Sequence, residues 1–338
     1  MNRTVLLLIV FLILAGATAI FMMGSDDKKS GSSTLGEDRN FAVPAEEIQK
    51  IFIADREGSR TTLVRQGDGW IYNGKYPAKP NAVENVLDAI TRVRVRYKPA
   101  DAAVDNMIRS LATEGIKVEI YGKGDELIKA YYVGGAPPDE RGTYMILEGA
   151  EQPYVAEIPS WEGNLRFRFS ITGKHWRDET IFDYDVEDIK SVSVEYPKQR
   201  NKSFVLESKG EDFSIKPFYE ITPVIEKELS QGLAESFLIG FDNFMAEGFE
   251  NDNPGRDSIS NLIPFTKITV TPKSGTPKTL SLFPIYPQKS GIDKETGEAM
   301  YENIPVERYF ADCSNGDFFL VQNRTTKRFL WAYDAFFE

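Results

Sequence analysis

The sequence has almost none of the residue types on which many catalytic and metal sites depend. Among 338 residues there is one cysteine, Cys313, and one histidine, His175. A single cysteine cannot form an intramolecular disulfide or a cysteine-based zinc site. A single histidine excludes multi-histidine metal sites and removes most histidine-dependent catalysis. The sequence also contains no phosphate-binding loop, no G-x-S-x-G nucleophile elbow and no H-E-x-x-H pair. We therefore predict a protein without a catalytic site, a metal or a cofactor.

The chain also lacks an excess of positive charge. It has 40 Lys and Arg residues against 51 Asp and Glu residues, which gives a formal net charge of −11. A net acidic chain does not attract phosphate backbones over its whole surface, so we predict no nucleic-acid partner. The hydrophobic fraction of 41% is sufficient for a folded interior. The length suits two domains, or one large core with a short extra segment.

One long apolar run lies near the amino terminus. Residues 5–23 read VLLLIVFLILAGATAIFMM and carry no charge. As a helix this run spans about 28 Å, close to the ~30 Å hydrocarbon core of a bilayer. Arg3 precedes the run, while Asp26 and Asp27 follow it. This charge bias places the amino terminus in the cytoplasm and the body outside it. We interpret residues 1–23 as a transmembrane anchor.

A cleaved signal peptide is the competing interpretation of the same run. Ala17-Thr18-Ala19 forms an A-x-A cleavage site, although the apolar run continues beyond it to Met23. Under both interpretations the body is exported. Residues 24–44 follow as a linker, and their Gly/Ser-rich part, GSDDKKSGSSTLGEDRN, is typical of a flexible tether.

Comparison of the body with itself indicates a tandem repeat. The segment EEIQKIFIADREGSRTTLVRQGDGWIYN resembles EDIKSVSVEYPKQRNKSFVLESKGEDFSIK further along the chain. Three apolar positions recur at a constant offset of 141: Ile48, Ile51 and Ile53 correspond to Ile189, Val192 and Val194. The alternation of apolar and polar residues in both segments predicts strands with one buried face.

Each copy continues with similar predicted elements. A helix is expected after Pro80 in the first copy and over residues 223–244, from Pro223, in the second. A β-hairpin follows, from Ile116 in one copy and from Thr266 in the other. A further hairpin comes next in each copy: residues 144–147 with 154–156, and 309–311 with 318–321. A short amphipathic helix is then predicted to close each copy, over residues 159–167 and 324–336.

The predicted fold class is therefore α+β. A transmembrane helix precedes two tandem, similar, β-rich units, each with an antiparallel sheet and packed helices. The first unit covers residues 45–175 and the second covers residues 176–338. Insertions in the second copy are predicted around residues 247–263 and 288–303.

With this layout, the sequence resembles the bacterial envelope family named domain of unknown function 4340. Five short motifs and one longer run carry the resemblance: Ile51-Phe52-Ile53, Gly69-Trp70, Tyr76-Pro77-Ala78, Val133-Gly134-Gly135, Trp176-Arg177-Asp178 and the run from Ile181-Phe182 to Val194. The resemblance is clear over residues 45–196 and weak beyond them. It implies one amino-terminal membrane helix and an extracytoplasmic body, often encoded beside gliding-type ABC transporter subunits. It implies no known activity.

The strongest local candidate for partner contact is a run of alternating cations. Arg92, Arg94, Arg96 and Lys98 in TRVRVRYKP are expected on one face of an extended segment. Such a ridge would suit an anionic lipid, a glycan or a protein partner. It is also what an ordinary edge strand uses to block edge-to-edge pairing, and this structural interpretation is the favoured one.

Other conspicuous residues have simpler interpretations. His175 lies in HWRD, where no partner or nucleophile is visible, so a packing and capping role is expected. Cys313 is expected as a small buried residue. The acidic stretch FENDNPGRDS lacks the spacing and the terminal Glu of a calcium loop. The aromatic clusters could form a sugar-binding platform, but strand alternation assigns about half of them to the core.

Together these features predict a non-enzymatic, membrane-anchored scaffold or interaction protein. Its body would lie in the periplasm, anchored in the inner (cytoplasmic) membrane by a single pass through residues 5–23. A protein partner in an ABC-type transporter, motility or secretion complex is expected on the family resemblance alone. The alternative is an extracytoplasmic protein that binds a glycan or a solute in a cleft between the two units.

Overall fold

The computed structural model describes residues 39–210, 212–286, 291–292, 299–300 and 305–337. These residues form two compact units, with the boundary between Arg177 and Asp178. Both units combine antiparallel sheets with few helices, so the fold is mixed α+β. The apolar run 5–23 lies outside the described residues. Among those that are described, no helix is long and apolar enough to cross a membrane.

Nine strands form the sheet of the first unit. In chain order they are β1 Lys50–Ala54, β2 Arg60–Gln66, β3 Gly69–Tyr72, β4 Tyr76–Pro77, β5 Arg94–Tyr97, β6 Ile116–Tyr121, β7 Leu127–Val133, β8 Thr143–Leu147 and β9 Tyr154–Glu157. In the sheet they run in the order β4-β3-β2-β1-β6-β7-β8-β9-β5, and every neighbouring pair is antiparallel. The predicted hairpins β6–β7 and β8–β9 are confirmed.

Alternation fixes which side chains of this sheet face the core. In β1 the buried residues are Ile51 and Ile53, and in β6 Val118 and Ile120 are fully buried. The register places Ile51 opposite Ile120, and Ile53 opposite Val118. Because side chains alternate across a strand, the residues between them project from the opposite face.

The described residues of the first unit include three helices: α1 Pro80–Arg92, α2 Asp101–Glu114 and the single turn α3 Arg166–Phe169. The predicted helix after Pro80 is confirmed as α1. It buries Val83, Val86 and Ile90 against the inner face of the sheet. Short 3-10 turns occur at Lys123–Asp125 and Gly173–Trp176. The core between α1 and the sheet also contains the fully buried Trp176, whose indole N–H donates to the Ile171 carbonyl oxygen at 2.7 Å.

In the part of the second unit that the structure describes, there is one large sheet and there are two small ones. Its strands are β10 Thr180–Phe182, β11 Ile189–Glu195, β12 Phe204–Lys209, β13 Asp212–Pro217, β14 Phe244–Met245, β15 Gly248–Phe249, β16 Thr266–Pro272, β17 Lys278–Ile285, β18 Gly291–Ile292, β19 Ala299–Met300, β20 Arg308–Cys313 and β21 Phe318–Gln322. The large sheet runs β13-β12-β11-β16-β17-β20-β21-β15. The small sheets pair β10 with β14 and β18 with β19. The predicted hairpins β16–β17 and β20–β21 are confirmed.

The helices of the second unit are short: α4 Gln231–Ile239, α5 Arg256–Ser260 and α6 Asn323–Thr326. Its 3-10 turns are Val186–Asp188, Arg200–Lys202, Lys327–Phe329 and Tyr333–Phe336. Its core is dominated by aromatic rings. The Phe237 ring lies 5.4 Å from each of the rings of Phe204, Phe241 and Phe336.

The expectation of a helix beginning at Pro223 is wrong. The helix begins eight residues later, at Gln231, and the chain before it is irregular apart from a β-bridge at Leu229. Leu229 forms a β-bridge with Phe337, and the Ser230 N–H donates to the Phe336 carbonyl oxygen at 3.0 Å. These bonds to a distant segment satisfy backbone groups that a helix would have paired locally.

Neither unit closes with the continuous helix that was expected. In the first unit Ser160 and Gly163 adopt positive φ values of 65° and 131°, so the helical turn does not begin until Arg166. In the second unit Leu330 and Ala332 have non-helical backbones, which divide the segment into separate turns. Apolar spacing alone does not reveal such interruptions.

Candidate interaction surface

The four cations of the predicted ridge do not lie on one extended segment. Arg92 is the last residue of α1, where its guanidinium pairs with Asp88 at 2.8 Å and donates to the Pro159 carbonyl oxygen at 3.2 Å. Lys98 lies beyond β5 and pairs with Asp101 at 3.1 Å. The expectation that all four cations share one strand face is therefore wrong, because the extended backbone begins only after α1 ends.

Arg94 and Arg96 do lie on β5, at one edge of the sheet. The Arg94 guanidinium is 3.8 Å from the Glu157 carboxylate, and Arg96 Nε is 3.4 Å from the same carboxylate. Arg96 is also 3.7 Å from Asp139 and donates to the Arg141 carbonyl oxygen at 2.6 Å. All four predicted cations thus have a carboxylate within 4 Å. Because each cation is paired, the ridge offers little uncompensated positive charge that could attract an anionic partner.

A more extensive arrangement lies on the outer face of the first sheet, which is the face opposite α1. Eight side chains follow one another there through hydrogen bonds, ion pairs and ring contacts, and we call them the polar chain. In spatial order they are Asp125, Lys50, Tyr121, Glu119, Lys117, Glu148, Tyr132 and Arg56. It contains three cations and three carboxylates, so its formal charge is balanced.

One end of the polar chain is held by β1, β6 and the 3-10 turn after β6. Lys50 Nζ is 2.6 Å from Asp125 Oδ1 and lies 4.1 Å from the centre of the Tyr121 ring. The Tyr121 hydroxyl donates to Glu119 Oε2 at 2.6 Å. Tyr121 therefore connects a cation–π contact to a charge-assisted hydrogen bond.

Lys117 connects the two halves of the polar chain. Its ammonium is 2.7 Å from Glu119 Oε1 and 2.8 Å from Glu148 Oε1. Glu148 also accepts a 3.4 Å hydrogen bond from the Tyr132 hydroxyl. At the far end the Arg56 guanidinium lies 5.7 Å from the centre of the Tyr132 ring. Cross-strand register explains part of this sequence, because Lys117 is directly opposite Tyr132.

These contacts shift the pKa values of three members in directions that keep the network intact near neutral pH. Hydrogen bonds to Glu119 and Glu148 raise the pKa of Lys117. Burial alone would raise the pKa of Glu119, but its bonds from Lys117 and Tyr121 outweigh this and lower it. The hydrogen bond to Glu119, together with burial, raises the pKa of Tyr121 to about 12. At pH 7 the lysine is therefore protonated and the carboxylate ionised.

A pocket of about 260 Å³ lies beside the polar chain, between α2 and the end of the sheet. Its walls are mainly apolar, and it is lined by Arg56, Ile108, Leu111, Ala112, Tyr132, Ile146, Leu147, Gly149 and Ala150. Leu111 is buried here and approaches the sheet closely. An added Cβ at Gly134 would lie 2.8 Å from its Cδ2 atom. Glycine at position 134 thus permits α2 to pack on the outer face.

Sequence reasoning missed both α2 and the polar chain. The signal for α2 was the spacing of Met107 and Leu111, which are its two buried residues. The signal for the polar chain was the occurrence of Lys117, Glu119 and Tyr121 at alternate positions of one strand. Their partners come from other strands and turns, so only the sheet order brings them together.

The other conspicuous residues occupy structural positions. The packing role expected for His175 is not seen, because His175 is exposed in the 3-10 turn Gly173–Trp176 and the buried residue of that turn is Trp176. Asp178 accepts hydrogen bonds from the backbone N–H and the hydroxyl of Thr180, which is the first residue of β10, so it stabilises a turn before a strand and not the start of a helix. Cys313 is confirmed as a buried residue, and burial raises the pKa of its thiol. Its thiolate is therefore disfavoured.

The acidic stretch near position 250 forms a structured loop. Asn253 accepts from the Gly255 N–H at 2.9 Å and donates to Glu250 at 3.0 Å, while Asn251 donates to Asp317 at 3.0 Å. Within residues 39–210, 212–286 and 305–337, no group of three or more His, Cys, Asp and Glu side chains is arranged to hold a metal ion.

Comparison with known proteins identifies the family. No curated protein and no solved structure matches the chain. Residues 72–259, more than half of the 338-residue chain, match the family described as Domain of unknown function (DUF4340). The match begins in β3 and extends beyond residue 196, through the second unit as far as α5. The chain therefore belongs to the DUF4340 family.

Proposed function

We propose that this protein is a non-enzymatic, membrane-anchored interaction module of the bacterial envelope. In this proposal residues 5–23 cross the inner membrane once, the amino terminus is cytoplasmic, and both units lie in the periplasm. The outer face of the first sheet docks a protein partner belonging to an ABC-type transporter or to a motility or secretion complex.

The observation that carries the proposal is the outer face itself. Tyr121 and Tyr132 lie half-buried among balanced charges, and an apolar pocket lies beside them. Tyrosine and arginine are enriched where proteins bind one another, and a polar rim around an apolar centre is the usual anatomy of such a patch. A charge-balanced network favours a partner of mixed charge over a uniformly anionic polymer.

The anchoring part of the proposal is supported by the apolar run and by the linker. The described body begins at residue 39, and the Gly/Ser-rich segment precedes it. A Gly/Ser-rich chain of 15 residues, the number between the apolar run and residue 39, has an r.m.s. reach of about 21 Å. A body on a tether of this length remains near the membrane and can still orient toward a neighbour.

We further propose that the two units are copies of one ancestral unit. The order β3-β2-β1-β6-β7-β8-β9 in the first sheet has the same pattern as β13-β12-β11-β16-β17-β20-β21 in the second. An out-of-order strand, β5 in one sheet and β15 in the other, then lies beside the last strand. This agreement supports the offset of 141 found in the sequence.

Site-specific cross-linking tests the proposed docking face. A photoreactive phenylalanine analogue replaces Phe52, which is half-buried on the outer face opposite Thr62 and Glu119. The matched control carries the analogue at Ser193, which is half-buried on the outward side of β11 in the second unit. The full chain is irradiated in its native membrane, purified in mild detergent, and its adducts are identified by mass spectrometry.

We expect an adduct from position 52 to a membrane subunit or to its envelope partner, and none from position 193. Replacement of residues 1–23 by a cleavable signal should reduce the yield of this adduct. Equal adducts from both positions would contradict docking on the outer face. Recovery of the protein alone, with a bound glycan, would contradict the whole scaffold proposal and favour the glycan-binding alternative.

A further inference from the structure

We propose that the pocket beside α2 is a binding site for a medium-chain aliphatic carboxylate. The alkyl chain lies among Ile108, Leu111 and Ile146, and the carboxylate meets the Arg56 guanidinium. This inference goes beyond the proposed function. It does not rest on that function, because the lining of the pocket alone carries it and no protein partner is needed.

The walls of the pocket determine the apolar part of the ligand. Leu111 and Ile146 are buried at its base, whereas Ile108 on α2 is 37% exposed at its rim. Together with the apolar pocket walls, the exposed part of Ile108 forms a continuous apolar surface that a ligand can cover. The pocket contains no buried carboxylate or ammonium among its lining residues, so a hydrocarbon chain meets no desolvated charge there.

The volume determines the size of the chain. The pocket measures about 260 Å³. It is smaller than the roughly 300–1,000 Å³ typical of sites for drug-sized ligands. At about 30 Å³ for each water-sized group it holds eight or nine such groups. A linear chain of about eight carbons fills this space, whereas one leucine side chain leaves about half of it empty.

Arg56 determines the charged part of the ligand. It lies in the turn between β1 and β2, at the mouth of the pocket, where the Tyr132 ring supports its guanidinium. In the part of the chain that the structure describes, no carboxylate pairs with it. The nearest acid along the polar chain is Glu148, which already accepts from Lys117 and from Tyr132. Among the described residues, Arg56 is therefore a cation without a carboxylate partner at this mouth. A planar carboxylate matches the paired N–H donors of its guanidinium.

Three ligands with the same alkyl chain test the inference on the full chain. Octanoate, 1-octanol and octylammonium are titrated at concentrations below micelle formation, and binding is measured by calorimetry. We expect octanoate to bind at least tenfold more tightly than octanol, because a bond to a charged group is added. Octylammonium should bind more weakly still. Lengthening hexanoate to octanoate should raise affinity about tenfold, with little gain beyond nine carbons.

Two variants and one matched control locate the site. Arg56→Gln should weaken octanoate binding about tenfold and leave octanol binding unchanged. Ile108→Asn, at an exposed position, should weaken both ligands. Arg60→Gln removes an exposed arginine from the same hairpin but outside the pocket, and should change neither. Circular dichroism verifies that each variant is folded.

Several results would overturn the inference. They are equal affinity for octanoate and octanol, equal effects of Arg56→Gln and Arg60→Gln, or no octanoate binding at millimolar concentration. Tighter binding of a short peptide that ends in a leucine carboxylate would instead identify the pocket as a docking point for a partner chain. A cross-link from position 52 depends on none of these titrations, so the two proposals fail separately.

Discussion

The ion pair between Arg168 and Asp88 joins α3 to α1, and replacing Asp88 by Asn tests what it contributes. Arg168 Nη1 lies 2.6 Å from Asp88 Oδ2 and 3.1 Å from the Asn85 carbonyl oxygen. The Arg168 side chain is only 8% exposed, so its charge has little water to replace a lost partner. Asparagine keeps the shape of the aspartate and removes its charge.

The expected cost follows from burial on the two sides of the pair. Removing one partner of a buried ion pair costs about 3–5 kcal/mol. The Asp88 side chain is 31% exposed, and asparagine can still accept one hydrogen bond. We discount the cost for this exposure and expect Asp88→Asn to destabilise the first unit by about 2 kcal/mol.

The same pair gives the stability a dependence on pH. Burial alone would raise the pKa of Asp88, but hydrogen bonds from Arg92 and Arg168 outweigh it and lower the pKa. A carboxyl with a lowered folded-state pKa contributes stability above its unfolded pKa of about 3.9, and this is lost as pH falls through the folded value. Stability of the Asp88→Asn variant should therefore fall less steeply below about pH 4.

Hydrogen exchange of the full chain, followed by mass spectrometry, measures the change. A loss of 2 kcal/mol corresponds to about thirtyfold faster exchange in peptides of α1. Peptides of the second unit serve as an internal reference. Asp101→Asn is the control, because that carboxylate is 90% exposed beside Lys98 and should contribute less than about 0.5 kcal/mol. Equal effects of the two variants would refute the argument from burial.

Three further predictions concern the first unit. The Tyr131 hydroxyl is buried without a hydrogen-bond partner among the described residues, so Tyr131→Phe should stabilise the unit by about 1 kcal/mol in urea unfolding; a loss would reveal a hidden partner. The hydrogen bond to Glu119 raises the pKa of Tyr121 to about 12, so Tyr121→Phe should remove one phenolate transition near that pH from an ultraviolet titration. Because the pKa is about 10 in the unfolded chain, the stability that Tyr121 contributes should be lost as the pH rises from about 10 to 12. Gly134→Ala should accelerate exchange in α2 by pushing Leu111 outward, while α1 is unchanged; equal effects on both helices would contradict a local clash.

Much of the sheet could be predicted from the sequence because alternation is a local signal. Ile51 and Ile53 alternate with polar or half-exposed residues, and the pattern marks both the strand and its buried face. The helix after Pro80 could be predicted equally well, because proline favours a helix start and Val83, Val86 and Ile90 recur at helical spacing. In both cases burial and local propensity agree.

The segment before α4 could not be predicted in the same way. Leu229 continues an apolar spacing that fits a helix, but it forms a β-bridge with Phe337, and the N–H of the next residue, Ser230, bonds to Phe336. Both partners are more than a hundred positions away. Local periodicity contains no information about such a partner. A tertiary backbone bond therefore overrides the helical pattern here.

The candidate surface was even less accessible to sequence reasoning. The run around Arg94 and Arg96 is conspicuous in the sequence because a cation occurs at every second position. The polar chain is assembled from β1, β6, β7, two turns and the residue that follows β8, and it depends on Lys117 lying opposite Tyr132. Sheet order and register decide which side chains meet, and neither is encoded in the spacing of residues along one strand.

The out-of-order position of β5 has a consequence for how the first unit is made. Arg94 pairs with Glu157, a partner that is synthesised about sixty residues later, whereas β1 and β2 pair across a short hairpin. During vectorial synthesis, β5 has no strand partner until β9 has been made. Its edge groups remain open during that interval, when unpaired strands are most exposed to wrong neighbours. In that interval the charges of Arg94 and Arg96 oppose pairing of β5 with a wrong strand. In the folded unit the same two residues form ion pairs with Glu157.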